Sequence, residues 1–207
     1  MKRGKFIVIE GIDGSGKGTV LKSLSQYLYD RDKNNHLFLT REPYITQYAT
    51  EVRQLLKTIS EPRQYAEQFA ELFVKDRRTH ATIIEHLLDE GIQVISDRYK
   101  HSTLVFQQTQ GLSLAHLIDL HHGLIIPDIT IIIDVPAEIA MERINFDKVR
   151  LHKEVFEQIG FLKLLRENYL FLPKQLPNEH IVIVDGNQPR EQVLQAVKME
   201  VDKLYID

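Results

Sequence analysis

The sequence of 207 residues contains no cysteine, which excludes disulfide bonds and thiolate metal sites. It also lacks any apolar run long enough to cross a membrane. The N-terminal stretch MKRGKFIVIEG carries basic residues but not the long apolar segment of a secretory signal. We therefore expect a cytoplasmic protein that does not bind membranes.

A strong excess of charge of one sign is also missing. The formal net charge is -3, which gives no support for a large nucleic-acid-binding surface, and we expect no nucleic-acid partner. With 43% hydrophobic and 27% charged residues, the composition is ordinary for a protein that folds in water. The sequence has no repeats, low-complexity tracts or long linkers. Its length suits one α/β domain with a proper core, so we predict a single domain over residues 1–207.

Short runs rich in isoleucine and valine alternate with stretches of helical periodicity. The predicted strands are KFIVIE (5–10), HLFLT (36–40), QVISD (93–97), DITIIIDV (128–135) and HIVIVD (180–185). Most are apolar throughout, which is typical of strands buried on both faces of a parallel sheet. The predicted helices are roughly 17–31, 45–59, 62–90, 101–122, 136–146, 154–171 and 189–204. This alternation predicts an α/β fold with a doubly wound, parallel, five-stranded sheet flanked by helices, and with ligands at the C-terminal ends of the strands.

A glycine-rich segment, GIDGSGKGT, joins the first predicted strand to the first predicted helix. Glycines allow a sharp turn in which consecutive N–H groups can point at phosphate oxygens, and the helix adds its positive N-terminal end. Lys17 is expected to bridge the β- and γ-phosphates of a nucleotide as a catalytic residue. The alternative is an ordinary glycine-rich turn. We predict a phosphate-binding loop of the P-loop NTPase type that binds ATP through Gly11, Ile12, Asp13, Gly14, Ser15, Gly16, Lys17, Gly18 and Thr19.

Two positions of this loop are unusual. Gly18 stands where the P-loop pattern has a serine or threonine hydroxyl that often holds magnesium, and Thr19 comes one residue later as a possible substitute. Asp13 is a carboxylate among expected phosphates, which would repel it. Asp13 is therefore predicted to bind a sugar hydroxyl or to hold magnesium through water, the alternative being a local turn-forming role.

The segment ISDRY ends the third predicted strand with Asp97 and Arg98. In this fold the strand end faces the nucleotide. Asp97 is predicted to hold magnesium through water, and Arg98 is predicted to clamp a phosphate with its planar fork of donors. The alternative is a simple ion pair between these two residues at the strand end.

An apolar stripe in the helix predicted over 62–90 is interrupted by charge. Asp76 and Arg77 lie one turn beyond Phe73 on the face that should point to the core. A charge on such a face is costly unless it is paired or borders a cleft. Phe73 and Arg77 would then offer a stacking surface and a donor fork to a flat ring with carbonyl oxygens. The alternative is that the helix rolls and leaves Arg77 in solvent.

Together these motifs resemble those of thymidylate kinases, the enzymes that phosphorylate dTMP with ATP. The order and spacing of GxDGxGK, REP and DRY are strongly specific, whereas the phosphate loop alone is not. The resemblance covers nearly the whole chain and rests on FIVIEGIDGSGKGT (6–19), TREP (40–43), FVKDR (73–77), ISDRYKHST (95–103) and FLKLLRENYL (161–170).

The resemblance assigns roles in binding dTMP. Asp13 would bind the 3′-hydroxyl of the sugar. Arg53 and Arg98 would bind the monophosphate, and Arg98 would also be catalytic. Phe73 would stack on thymine and Arg77 would donate to its O4.

Further residues of the acceptor pocket follow from the same resemblance. Thr103 would contact the base edge, with Gln107 nearby, and Phe106 would crowd the 2′ position of the sugar. The bond between Glu42 and Pro43 would be cis and would shape the pocket. The alternative for Pro43 is a trans turn, which is commoner in general.

The chain departs from the family pattern at Gly18, at Tyr44-Ile45 after REP, and in the lid, which we place at about 143–156. Relatives without an arginine in the loop carry a catalytic arginine in the lid. Val155 stands where that arginine might be, and Arg143, Lys148, Arg150 and Lys153 are candidates to replace it. We favour Arg150, because phosphoryl transfer needs cationic clamping; the alternative is a solvated basic loop.

The resemblance implies a homodimer that converts ATP and dTMP into ADP and dTDP with magnesium. Another nucleoside monophosphate kinase, acting on dUMP, UMP or AMP, is the nearest alternative. The methyl group that separates thymine from uracil contributes only ~1–3 kcal/mol in an apolar pocket. A P-loop protein that senses nucleotide without transferring phosphate is a second alternative, of a different class.

Overall fold

The computed structural model describes residues 2–61, 63–146 and 156–206. Its strands are β1 (Phe6–Glu10), β2 (Leu37–Arg41), β3 (Gln93–Asp97), β4 (Ile129–Asp134) and β5 (Ile181–Asp185). Its α-helices are α1 (Lys17–Arg31), α2 (Gln47–Leu56), α3 (Ala66–Asp89), α4 (Lys100–Thr109), α5 (Leu114–Leu120), α6 (Ala137–Phe146), α7 (Ile159–Gln175) and α8 (Arg190–Asp202). A short 3-10 helix, Lys203–Tyr205, follows α8.

The strands form one parallel sheet in the order β2-β3-β1-β4-β5. Ile9 in the central strand β1 pairs with Asp97 of β3 on one side and with Ile131 of β4 on the other. The chain therefore changes direction across the sheet on either side of β1, which opens a crevice at the C-terminal ends of β1 and β3. This confirms the predicted α/β class and the five-stranded parallel sheet.

Apolar side chains leave β1 on both faces and nucleate two layers of core. Ile7 and Ile9 pack with apolar residues of α1 and α8 on one face. Phe6 and Val8 point the other way and pack against α3. All five residues of β1 are buried, so neither face of the strand meets solvent, as its apolar run from Phe6 to Ile9 predicted.

Several predicted helices differ from the structure in their extent, among them the helix predicted over 45–59, which is Gln47–Leu56. The stretch 101–122 forms two helices, because the chain turns at Gly111 with φ 114 and Ser113 then caps α5 by accepting a hydrogen bond from the His116 N–H. The helix predicted to begin at residue 62 begins at Ala66, after Tyr65 in the left-handed conformation. The helix predicted over 154–171 is α7, Ile159–Gln175.

The α7 helix ends later than predicted and contains Pro173. A proline in a helix removes one backbone donor. The apolar stripe that runs from Phe161 through Leu165 to Leu172 is buried in the core, and this packing carries the helix past the proline.

Across the described ranges, no helix has both the length and the apolar character needed to cross a membrane.

Core packing of α7 gives a stability prediction. Leu165 is fully buried, whereas its neighbour Leu164 is 41% exposed. Replacement of Leu165 by alanine leaves a cavity in the core cluster that α7 helps to form, and we expect it to lower the free energy of unfolding by ~2–5 kcal/mol. Denaturant titration followed by circular dichroism measures this change.

The matched control is Leu164→Ala, for which we expect a change of no more than ~0.5 kcal/mol, because little apolar area is lost from the core. Equal effects of the two substitutions would contradict the packing described for α7.

Candidate active site

A cleft of about 800 Å³ opens at the C-terminal ends of β1, β2 and β3. The phosphate loop, the start of α1, and side chains from α2, α3 and α4 line it. Basic side chains outnumber carboxylates in its wall, so the cleft suits an anionic ligand. The predicted site residues that line it are Asp13, Gly14, Gly16, Lys17, Gly18, Thr19, Glu42, Pro43, Arg53, Phe73, Arg77, Asp97, Arg98, Thr103, Phe106 and Gln107.

The remaining loop residues lie behind the cleft wall. Ile12 is buried in the apolar core, and Ser15 is also buried. Gly11 contributes to the site a backbone carbonyl that accepts a hydrogen bond from Lys17. These three residues shape the loop from behind.

Gly14 is required by both conformation and space. Its φ of 79 is one that residues with side chains rarely adopt, and a Cβ there would lie 2.3 Å from the Ala140 carbonyl oxygen. The phosphate loop therefore packs against the backbone of α6 at this point. Any larger residue would push the loop away from α6.

Lys17 begins α1 and turns its side chain back over the loop. Its Nζ donates to the carbonyl oxygens of Gly11 and Ile12, both at 3.0 Å. Burial and the nearby Arg98 cation lower the pKa of Lys17 from 10.5 to about 8, although carboxylates such as Asp13 act in the opposite direction. The Asp13 carboxylate lies 3.7 Å from the ammonium and offsets burial only in part, so a phosphate would stabilise the charge further.

Arg98 follows β3 with a left-handed φ of 74. Such a backbone conformation is uncommon outside glycine and is often found at functional sites. The guanidinium donates to Asp13 at 2.6 Å and lies 5.3 Å above the Phe106 ring. Burial opposes its charge, but the carboxylates, led by Asp13, outweigh burial and raise the pKa of Arg98. Arg98 is therefore a fixed cation, and its partner is Asp13, not Asp97.

Glu10 is a site residue that the sequence reasoning missed. It ends β1, is fully buried, and accepts hydrogen bonds from the backbone N–H groups of Tyr99 and Ser102. It also accepts from the Ser102 hydroxyl at 2.7 Å and from the Tyr169 hydroxyl at 2.9 Å. Both hydroxyls touch Arg98 as well. A glutamate that ends an otherwise apolar strand was the available signal.

The carboxylate of Asp97 offers oxygen ligands of the kind that a magnesium ion prefers. Arg41 donates to its Oδ2 at 3.3 Å, while its Oδ1 is buried without a hydrogen-bond partner among the described residues. A carboxylate oxygen beside the phosphate loop suits Mg²⁺, which prefers oxygen ligands and keeps several waters. Thr19 also lines the cleft at the start of α1. In the described ranges no group of three or more histidine and acidic side chains could hold a metal on its own.

Arg77 is fully buried in a polar pocket below the cleft, so the alternative of a solvated arginine is wrong. Its Nε donates to Glu42 at 2.6 Å, and its Nη1 contacts Thr103 Oγ1 at 3.2 Å and His121 Nε2 at 2.6 Å. Among the described residues, Nη2 makes no hydrogen bond. Since a guanidinium carries five N–H donors, two remain for a ligand.

The peptide bond between Glu42 and Pro43 is cis, as predicted. Glu42 is held on its other side by the buried His80, whose Nδ1 lies 3.1 Å from Glu42 Oε1. His80 in turn contacts Thr40 Oγ1 at 2.9 Å and stacks on the Tyr44 ring. Tyr44, which departs from the family pattern after REP, thus covers this histidine.

The aromatic wall of the cleft comes from three parts of the chain. Phe73 in α3 and Phe106 in α4 both line the cleft, and Phe156 packs edge-on against Phe106. Gln107 is buried beside them, with its Nε2 donating to Gln110 at 2.9 Å and its Oε1 unpartnered among the described residues. The wall therefore offers flat apolar surface next to a polar edge.

Arg53 lies in α2 at the rim of the cleft and donates to the Tyr44 carbonyl at 3.0 Å. Lys22 and Arg41 also line the cleft, although the sequence reasoning gave them no role. Each lies close along the chain to a recognised motif, and that proximity was the available signal.

The predicted lid is described only at its ends. Arg143 in α6 donates to the Ser15 carbonyl of the phosphate loop at 3.3 Å and to the Gly186 carbonyl at 3.2 Å. Phe156 lines the cleft. The favoured catalytic residue Arg150, together with Lys148, Lys153 and Val155, lies outside the described residues.

The fold and the cleft define a P-loop protein of the α/β class with a cationic nucleotide site. A sequence model of the thymidylate kinase family matches residues 9–197. A probable thymidylate kinase of Thermococcus gammatolerans is 39% identical over 86% of this chain and 88% of its own length. The thymidylate kinases of Carboxydothermus hydrogenoformans and Nitrosospira multiformis are each 37% identical and cover 95% and 98% of the chain, or 96% and 99% of their own lengths. The chain belongs to the thymidylate kinase family.

The four hydrogen bonds to Glu10 should make its carboxylate important for stability. In Glu10→Gln an amide NH₂ would face either two backbone N–H groups or the two hydroxyls that now donate. We expect the free energy of unfolding to fall by ~1–3 kcal/mol, because buried donors lose their acceptor. Denaturant titration of the purified variant checks this.

The matched control is Glu71→Gln in α3, where an exposed carboxylate pairs with Lys75 at 3.6 Å. A surface pair of this kind contributes at most ~1 kcal/mol. If Glu10→Gln unfolds at the same denaturant concentration as the unmodified protein, Glu10 does not organise the site.

Proposed function

We propose that the protein transfers the γ-phosphoryl group of ATP to dTMP, giving ADP and dTDP, and so contributes to the supply of dTTP. One observation carries this proposal. The phosphate loop with Lys17 shares a single cleft with a pocket whose ring and hydrogen-bond donors suit thymine. The names of the sequence relatives support the same activity.

The acceptor pocket complements a thymine ring. Thymine presents a carbonyl acceptor at O4 and an N–H donor at N3. Arg77 keeps the two N–H donors of Nη2 for the carbonyl, and the unpartnered Oε1 of Gln107 suits the N–H group. Phe73 supplies a flat apolar surface on which the ring stacks. Cytosine would place a donor at position 4 and an acceptor at N3, so this arrangement disfavours it.

The sugar and phosphate of dTMP fit the neighbouring cations. Arg98 is a permanent cation and, with Arg53, suits the monophosphate. Asp13 suits the 3′-hydroxyl, since its carboxylate lines the cleft beside Arg98. Phe106 lies under the Arg98 guanidinium and limits the space near the sugar.

Transfer is direct and in line, with no covalent enzyme intermediate. An oxygen of the dTMP phosphate forms a bond to the γ-phosphorus while the bond from that phosphorus to the bridging oxygen breaks, and the electron pair leaves with ADP. Negative charge spreads over the moving phosphoryl group. Lys17 and Arg98 stabilise that charge from positions that the fold has already fixed.

Magnesium accompanies ATP in this proposal. Asp97 would hold the ion through water, and Thr19 is a second candidate. When bound, magnesium neutralises charge on the β- and γ-phosphates.

The remaining parts of the proposal have two sources. The single domain over 1–207 and the cytoplasmic location are expectations from the sequence itself, whereas the lid at about 143–156 with Arg150 as its cation and the homodimer rest on the family resemblance. Closure of the lid keeps water away from ATP, which water would otherwise hydrolyse.

A coupled assay of ADP release with Mg-ATP tests the proposed function. It compares dTMP, dUMP, UMP, AMP and a reaction without acceptor. We expect ADP to form fastest with dTMP and more slowly with dUMP, because the thymine methyl contributes only ~1–3 kcal/mol. A preference for AMP would mean that AMP, and not dTMP, is the phosphoryl acceptor. Absence of turnover despite ATP binding would favour a protein that senses nucleotide without transferring phosphate.

Lys17→Ala and Arg98→Ala are the controls for that assay. Each removes a cation that stabilises the transition state, so we expect both to fold and to lose most of the rate. Near-normal turnover by either purified variant would remove that residue from the mechanism.

The lowered pKa of Lys17 predicts proton uptake when ATP binds. In the free protein the pKa is about 8, so most of the Lys17 side chains are neutral at about pH 9. Phosphates favour the ammonium and raise the pKa, so binding should draw a proton from the buffer. Calorimetric titration in two buffers of different ionisation enthalpy measures the uptake.

Lys17→Arg is the matched control, because arginine keeps the charge but does not titrate in this range. We expect ATP binding by this variant to show less proton uptake than binding by the unmodified protein. The same uptake in both proteins would contradict the assignment to Lys17.

A further inference from the structure

His121 follows α5 and is buried below Arg77, away from the phosphate loop. Its Nδ1 lies 2.6 Å from the carbonyl oxygen of Leu117. A carbonyl can only accept a hydrogen bond, so Nδ1 carries the ring proton. Nε2 is then a lone-pair acceptor, and it lies 2.6 Å from Arg77 Nη1.

The neutral state of the ring follows from the same contacts. A protonated ring would bring an N–H group against the Arg77 N–H group at 2.6 Å. Burial and the Arg77 cation lower the pKa of His121 from 6.5 to about 3, so the imidazole is neutral at ordinary pH. Arg77 therefore faces a neutral acceptor on one side and the Glu42 carboxylate on another.

These acceptors together use three of the five N–H donors of Arg77. Glu42 takes Nε–H, while Thr103 and His121 take the two hydrogens of Nη1. The guanidinium is thereby fixed in its plane, since acceptors hold Nε and Nη1 on either side of Nη2 and the Tyr99 ring lies 5.5 Å from its carbon. Nη2 makes no hydrogen bond to the described residues, and Arg77 lines the cleft.

The turn that carries His121 is held from outside as well. Arg78, the next residue of α3, donates to the carbonyl oxygens of Leu120 and His122 at 3.0 and 3.3 Å. Two consecutive arginines of α3 thus bracket the end of α5, one from the surface and one from the interior. His121 is placed rigidly with respect to Arg77 by this bracket.

We propose that His121 is a positioning residue that sets the base specificity of the acceptor site. By accepting from Nη1 it holds Nη2 toward the position-4 carbonyl of a pyrimidine, so that a carbonyl is accepted there and an amino group is rejected. This inference rests on the proposed function, because the pyrimidine in question is that of the phosphoryl acceptor.

The test compares dTMP with 5-methyl-dCMP, which keeps the methyl group but carries an amino group at position 4. In His121→Phe the ring shape stays and the acceptor is lost. We expect kcat/KM for dTMP to fall ~10-fold or more, since hydrogen bonds to charged groups are among the stronger ones. The fall in kcat/KM for 5-methyl-dCMP should be smaller, so the ratio of kcat/KM for dTMP to that for 5-methyl-dCMP decreases. KM for ATP should stay the same.

Two variants complete the comparison. His121→Gln keeps an acceptor for Arg77 and a donor for Leu117, and we expect it to retain most of the preference. His122→Phe makes the same change at the adjacent exposed position and should leave all constants unchanged. A purely structural role would lower kcat/KM for both acceptors equally, so an unchanged preference in His121→Phe would overturn the inference.

A measurement on the unmodified protein covers the case in which His121→Phe does not fold. The ¹⁵N chemical shifts of the imidazole should report a neutral ring protonated at Nδ1 near pH 7. A charged ring, or a ring protonated at Nε2, would overturn the inference. Failure of the unmodified protein to phosphorylate dTMP overturns the proposed function instead, and this is seen before any variant is made.

Discussion

The buried carboxylate of Glu10 is the contact on which the organisation of the cleft depends. It ends the central strand and accepts four hydrogen bonds from α4, its N-terminal approach and α7. A buried carboxylate without partners would be costly, so the elements that satisfy it must meet at this point. Arg98 is then placed by the same hydroxyls that Glu10 holds.

The cations of the cleft are held before any ligand arrives. Lys17 rests on two backbone carbonyls and Arg98 on the Asp13 carboxylate. A ligand that brings phosphates meets side chains that have already lost their freedom, which reduces the reorganisation needed during transfer. This arrangement destabilises the charged form of Lys17. Its pKa is lowered because the ammonium is buried next to the Arg98 cation.

A second buried carboxylate organises the other half of the cleft. Glu42 joins the segment after β2 to α3 through Arg77 and His80. The two halves differ in what they leave available. Around Glu10 the donors are consumed by the protein, whereas around Glu42 Arg77 keeps two N–H groups. The Glu10 side is therefore suited to holding the structure together, and the Glu42 side is suited to binding a flat polar ring through Arg77.

The local pattern of residues was sufficient to predict the sheet and the phosphate loop. The apolar runs of β1 and β4 could only be buried on both faces, and the glycines with Lys17 marked the connection from β1 to α1 as a phosphate loop. The break between α4 and α5 was missed, because apolar periodicity continues across it and only Gly111 marks the turn.

The sequence by itself determined the class of fold, the phosphate loop and most of the residues that line the cleft, because each of these is encoded in a contiguous stretch of residues. Only the tertiary structure decided the partners. Arg98 pairs with Asp13, and Arg77 pairs with His121. The members of each pair are far apart in the chain, although each arginine has a carboxylate nearer to it in the sequence. Which charge meets which depends on how helices cross the sheet, and helical spacing alone does not specify that crossing.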